Sequence, residues 1–218
     1  MLLEFLYPIS DQIQFFNLFR YITFRTGGAI LTALIISFIL GPILIDFLRN
    51  FQGDGQPIRL DGPESHLIKK KGTPTMGGLL IILAAIGSTI LWMDLRNPFV
   101  WSILLIIVGF GSIGIIDDWI KLSNKSSKGL GGYVKLILEV LVALPAIMTI
   151  IHFSPPEILD GLSLPFIKDI LIPVGIFFVP VSVFVIVGSS NSVNLTDGLD
   201  GLAIVPVIIA ASCFALIA

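Results

Sequence analysis

The residues of this sequence best suited to chemistry are acids in unusual places. Asp117 and Asp118 follow directly on an apolar run that ends in Ile115-Ile116. Ionisable groups at membrane depth are costly and mark function. Two adjacent carboxylates there repel each other and face the negative end of a helix dipole, so they need a partner. A metal ion, a lysine or a shared proton would serve. The plainest arrangement is a hydrated Asp-Asp cap with Lys121 beside it at i+3 and i+4.

A second group is Ser189-Ser190-Asn191-Ser192-Val193-Asn194-Leu195-Thr196-Asp197-Gly198-Leu199-Asp200-Gly201, dense in polar groups and free of positive charge. Read as a loop, it places Asp197 and Asp200 three apart, on one side of any helical turn. Its glycines allow a ligand to approach the backbone, and a helix N-terminus follows. One of these aspartates is accounted for as a helix cap, but two with two asparagines are not. A third group is Lys69-Lys70-Lys71-Gly72-Thr73-Pro74-Thr75-Met76-Gly77-Gly78. The lysines serve as membrane anchors, and lysine charge beside threonine hydroxyls and glycine backbone also suits a pyrophosphate. A basic hydroxylic segment, a carboxylate pair and an acidic Asn/Asp segment together suit metal-assisted phosphoryl transfer.

The elements that position these groups are set by hydropathy. The 218 residues are 55% hydrophobic and 13% charged, against about 25% charged in a soluble domain. Mean hydropathy is +0.99. Six apolar blocks are expected to span a bilayer as helices: Gly28–Leu48, Thr75–Met93, Pro98–Ile116, Leu136–Ile151, Ile170–Gly188 and Leu202–Ala218. The blocks lack the polar face that a soluble helix needs. The expected fold is therefore all-α, a single polytopic transmembrane domain over 1–218 in contact with lipid. Met1–Phe19 has no signal-peptide pattern and reads as an aromatic segment lying in the interface. Asp160-Gly161 predicts a small hairpin on the outer face.

Six spans put nine of the thirteen basic residues on one side: Arg49, Arg59, Lys69, Lys70, Lys71, Lys121, Lys125, Lys128 and Lys135. The positive-inside rule makes that side cytoplasmic. It carries all three polar groups. A net charge of −2 gives no reason to expect a nucleic-acid partner. Gly109-Phe110-Gly111-Ser112-Ile113-Gly114 matches the dinucleotide fingerprint in letters, but it lies inside an apolar block and reads as a small-residue packing face. Glu139 is expected to pair with Lys135 at i−4.

The wording of the polar segments resembles one family. Asp61-Gly62-Pro63-Glu64-Ser65-His66, followed by Lys70 and Gly72-Thr73-Pro74-Thr75-Met76-Gly77-Gly78, is similar to the first signature of bacterial phospho-N-acetylmuramoyl-pentapeptide transferases. Asn191–Gly201 resembles the second, and Asp117-Asp118 with Lys121 matches the aspartate pair between them. The resemblance implies a Mg²⁺-dependent transfer of phospho-N-acetylmuramoyl-pentapeptide from UDP to undecaprenyl phosphate. The reaction releases UMP and forms lipid I for peptidoglycan synthesis, at the cytoplasmic face of the inner membrane. It implies that Asp117 deprotonates or orients the lipid phosphate and that Asp118 supports metal and diphosphate, with both as metal-site residues. Lys70, Gly198, Leu199 and Asp200 would hold uridine, and Thr75, Asn194 and Asp197 would shape the adjoining pocket. Direct attack and a covalent aspartyl route both remain open. The family is usually dimeric with ten spans, and carries a further metal-binding aspartate and a histidine-rich loop beyond this region. The chain is therefore expected to be its N-terminal portion, inactive alone. Alternatives are a transferase for another UDP-hexosamine and, in a different class, a membrane transporter.

Overall fold

In the computed structural model, residues 2–9, 13–53, 74–126, 128–156, 161–163, 171–197 and 202–217 are described. Chain contacts divide them into two units, Met1–Glu139 and Val140–Ala218.

The first unit opens with a short helix α1 (Leu2–Leu6) and two 3₁₀ segments, Tyr7–Ile9 and Gln14–Arg20. Three long apolar helices follow: α2 (Ile22–Gln52), α3 (Gly78–Trp92) and α4 (Pro98–Ser123). Helix α5 (Gly132–Phe153) begins in this unit and ends in the next. Helix α2 packs chiefly on α3, and α3 on α4. Most of the apolar surface faces outward. The apolar window of α2 has a hydropathy of 2.5 and is only 6% buried, as expected of a helix solvated by lipid.

The aromatic N-terminal segment is tied to this bundle. Phe19 is buried, stacks on Trp92 with centroids 5.7 Å apart and meets Phe24 edge-on at 5.1 Å. The Trp92 indole N–H donates to Thr32 Oγ1 at 2.8 Å, so the ring is held at both its polar and apolar sides. Gly28 gives the ring its room, since a Cβ there would meet the Trp92 six-membered ring. At the opposite end of α2, Phe51 stacks on Trp119 of α4 at 5.6 Å.

The second unit holds the strand pair β1 (Gly161–Ser163) and β2 (Leu171–Pro173), a 3₁₀ turn Gly175–Phe177, and helices α6 (Phe178–Thr196) and α7 (Ile204–Ile217). The strands are antiparallel, with Leu162 opposite Ile172.

Among the described residues, four helical stretches are long and apolar enough to cross a membrane: Ile22–Gln52, Pro98–Ser123, Gly132–Phe153 and Gly175–Thr196. Gly78–Trp92 and Ile204–Leu216 are apolar but shorter. The 15 residues of α3 rise about 22 Å, less than a hydrocarbon core of about 30 Å.

Four details differ from the sequence expectation. Within the fifth block Leu171–Pro173 is strand, and the helix starts at Phe178 with Pro180 in the first turn, where its missing N–H costs nothing. Gly161 of the Asp160-Gly161 dipeptide is already in β1, paired with Pro173, rather than in a turn, and Asp160 lies outside the described residues. The polar stretch from Ser189 to Thr196 is not a loop. Helix α6 runs through it, with Asn191 Nδ2 donating to Val187 O at 2.9 Å and Thr196 Oγ1 to Ser192 O at 2.8 Å, so that these polar side chains turn back onto the helix. Finally, α4 does not stop at Ile116, so Asp117 and Asp118 lie inside its last turns.

Candidate active site

Helix α4 keeps going because Trp119, Ile120 and Leu122 sustain its apolar pattern past the acids. It ends in a left-handed cap. Lys125 has φ 47°, its N–H bonds Leu122 O at 3.2 Å, and the Ser126 N–H bonds Lys121 O at 3.1 Å. This is the two-bond C-terminal closure usually built on glycine. The cap turns the chain back along α4, so that the Leu130 N–H donates to Asp117 Oδ1 at 2.6 Å.

Continuation of the helix sets the charges. Lys121 lies one turn after both acids, and its ammonium is 2.5 Å from Asp117 Oδ2 and 3.2 Å from Asp118 Oδ1. The other oxygen of Asp118 accepts from Thr75 Oγ1 at 2.6 Å. Thr75 is itself clamped. Its N–H donates to Gln52 Oε1 at 2.8 Å, and Gln52 Nε2 donates back to the Thr75 carbonyl at 3.1 Å. The next residue, Met76, has φ 68°. Met76 and Lys125 are the non-glycine residues with positive φ among the described ones. Both border this cluster, as backbone strain often does at working sites.

The cluster therefore joins four helix ends: the last residue of α2, the entry to α3, the last turns of α4 and the entry to α5. Its side chains are half-buried, with 31% exposure at Lys121, 18% at Asp117 and 25% at Asp118. Two carboxylates, an ammonium and a hydroxyl are presented where a solute can reach them. Each of the four carboxylate oxygens takes one of these bonds, and a carboxylate oxygen has about two lone-pair sites, so acceptor capacity remains. An all-oxygen pair of this kind fits Mg²⁺, which is commonly held by one or two carboxylates and completed by substrate phosphates. Among the described residues, no group of three or more His, Cys, Asp or Glu side chains is placed to hold a metal.

Of the residues singled out in the sequence, Thr75, Asp117 and Asp118 are brought together, with Lys121 between the acids. Asn194 and Asp197 belong to the second unit, at the end of α6, and both are exposed. Lys70, Gly198, Leu199 and Asp200 lie outside the described residues. Gln52 and the Leu130 amide were not anticipated. Gln52 carries no distinctive spacing, and a backbone amide has no sequence signal. Glu139 is buried at 2% exposure with Lys135 3.9 Å away, the expected i−4 pairing. Gly111 lies within α4, and a Cβ there would meet the Ile82 side chain of α3, which is the packing role read from the Gly109–Gly114 segment.

Residues 100–218, more than half of the chain and the part that carries the aspartate pair, match the model of glycosyl transferase family 4. The chain belongs to this family. Within glycosyl transferase family 4, residues 70–82 further match signature 1 of phospho-N-acetylmuramoyl-pentapeptide-transferase, a segment that contains Lys70 and Thr75. Two curated relatives carry that transferase name. The chain is 56% identical over 218 residues to the one from Granulibacter bethesdensis, covering all of this chain and 60% of the relative. It is 50% identical over 216 residues to the one from Maricaulis maris, covering 97% of this chain and 59% of the relative. The chain thus spans about three-fifths of the length of these relatives. Its apolar helices and these relatives mark it as a multi-pass membrane protein.

Proposed function

We propose that the protein containing this chain transfers phospho-N-acetylmuramoyl-pentapeptide from a UDP carrier to undecaprenyl phosphate, at the cytoplasmic face of the inner membrane. The product is lipid I, and UMP is released. The observation that carries the reading is the Thr75–Asp118–Lys121–Asp117 cluster at a meeting of helix ends, in a chain similar throughout to transferases of that name. A site at helix ends can receive a soluble nucleotide and a lipid headgroup together. A transporter would be expected to hold its charges near mid-membrane.

In this reading an oxygen of the lipid phosphate attacks the sugar-linked phosphorus of the UDP substrate. A new phosphoanhydride bond forms as the bond to UMP breaks. Asp117 orients the attacking phosphate and accepts its proton where one is present. Asp117 is tethered at both oxygens, which suits an acceptor working in place better than a carboxylate that must swing onto phosphorus. Lys121 neutralises phosphate charge, and Thr75 fixes the rotation of Asp118 through its hydroxyl. Mg²⁺ held by Asp117 and Asp118 would supply charge neutralisation for the phosphate oxygens. Lys70, Asn194, Asp197, Gly198, Leu199 and Asp200 are assigned to the uridine and its adjoining pocket. The working form is a homodimer.

The test is UMP release by membranes expressing the complete reading frame, with undecaprenyl phosphate and either UDP-N-acetylmuramoyl-pentapeptide or UDP-N-acetylglucosamine. Turnover with the pentapeptide substrate is expected. Turnover with UDP-N-acetylglucosamine alone would replace this reading with that of a sister transferase. Solute flux in vesicles without UMP release would replace it with transport.

A further inference from the structure

The return of the chain after α4 does more than connect two helices. A Cβ built on Gly129 would lie on Asp117 Oδ1, 2.6 Å from Cγ and 2.9 Å from Oδ2. The next residue supplies the Leu130 N–H bond to the same Oδ1 at 2.6 Å. The backbone at Gly129 is outside the left-handed region, so its conformation does not call for glycine. What calls for glycine is the carboxylate. The neighbouring glycines are under no such demand: a Cβ at Gly131 meets only Val134 Cγ2 at 4.0 Å, and at Gly132 it meets nothing within 4 Å.

We infer that Gly129 is a positioning residue for Asp117, the bare point in a backbone cradle whose amide at Leu130 sets the direction of the carboxylate. The inference rests on the proposed reaction only for what Asp117 does there, not for where it is held. Lys121 grips the other oxygen but ends a long, rotatable side chain. The amide is part of the chain, does not titrate and cannot swing away. A methyl group at position 129 must push the carboxylate off the amide or push the chain off α4. The acid is the far end of a short side chain and gives way first. The fold then survives while the geometry of the acid is lost.

The experiment compares wild type, Gly129→Ala, Gly131→Ala and Gly132→Ala, each also in an Asp117→Ala background, in the complete protein in detergent. Gly129→Ala is expected to lower kcat on the order of 10²-fold, the usual effect of misplacing a reacting group by about 1 Å. KM for the UDP substrate should be unchanged, and the other two glycine variants should behave as wild type. Melting temperature provides a readout independent of turnover. Gly129→Ala should lower it in the wild-type background and leave it unchanged in the Asp117→Ala background, where no carboxylate remains to be displaced. Wild-type turnover in Gly129→Ala, or an equal melting shift in both backgrounds, overturns the cradle. Should Gly129→Ala fail to insert, Asp117→Ala must restore insertion, and failure to do so also overturns it. A wild-type protein that releases no UMP overturns the reaction instead, and the melting cycle still decides the cradle.

Discussion

Asp117 is bonded through both oxygens and sits at the end of a helix rather than in a packed core, so its chemistry can be separated from its structure. Asp117→Asn keeps the size and the acceptor oxygen that faces Leu130 while removing the charge. Membrane insertion should be retained and UMP release should fall about 10²–10⁴-fold, the range typical of a lost acid–base group. Near wild-type turnover would remove Asp117 from the mechanism. Lys121→Met leaves two adjacent carboxylates without their cation. The variant should melt lower than wild type in chelator, and Mg²⁺ should raise its melting temperature more than that of the wild type. An equal Mg²⁺ response in both would argue against metal at this pair. At this scale the sequence was informative where a charge stood out against lipid. Asp117, Asp118 and their lysine could be read from position alone, and Thr75 from its company of glycines and lysines. Gln52 could not, because a glutamine one residue before a glycine at a helix end looks like any solvated terminus. Its meaning comes from two bonds to a residue 23 positions away.

At the scale of elements, each apolar block overlaps an apolar helix among the described residues, four of them long enough to cross a membrane, but the helix ends differ from the block ends. Hydropathy marks where lipid solvates a chain, whereas helix ends are set by caps and by side-chain bonds to the backbone. Helix α4 therefore outlasts its apolar run by about two turns, and α6 absorbs a polar stretch that reads as loop. The cap of α4 gives a test. Lys125 holds a left-handed conformation, so Lys125→Gly should raise stability by about 0.5–1 kcal/mol and leave turnover unchanged, as read by thermal melting in detergent. A loss of stability would show that the lysine side chain outweighs its strained backbone. The packing face of α4 gives another. Gly111→Leu must force Ile82 of α3 aside and should cost about 1–3 kcal/mol, while Gly114→Ala, with open space around it, should not lower stability. Equal melting temperatures for the two variants would refute the close approach of α3 and α4 at Gly111.

Across the molecule, the first unit has two unlike ends. One is closed by Phe19, Phe24 and Trp92, an apolar clasp with a part-buried indole bond to Thr32. The other gathers four helix ends around charge. The alternation of spans and the nine-to-four split of basic residues predict which end meets the cytoplasm. With Cys213 replaced by serine, a cysteine at Ser126 should be labelled by an impermeant maleimide only after cells are opened, and one at Arg96 should be labelled from outside. The reverse pattern would invert the assignment and remove a soluble nucleotide from reach of the acids.

In the proposed reaction, the lysine shared between Asp117 and Asp118 would work as a two-for-one exchange. Its ammonium occupies one oxygen on each acid, and its side chain is the most exposed of the three. An arriving phosphate that draws the ammonium toward itself uncovers both oxygens in a single event. Arrival of the anion and liberation of the acids would then be the same motion.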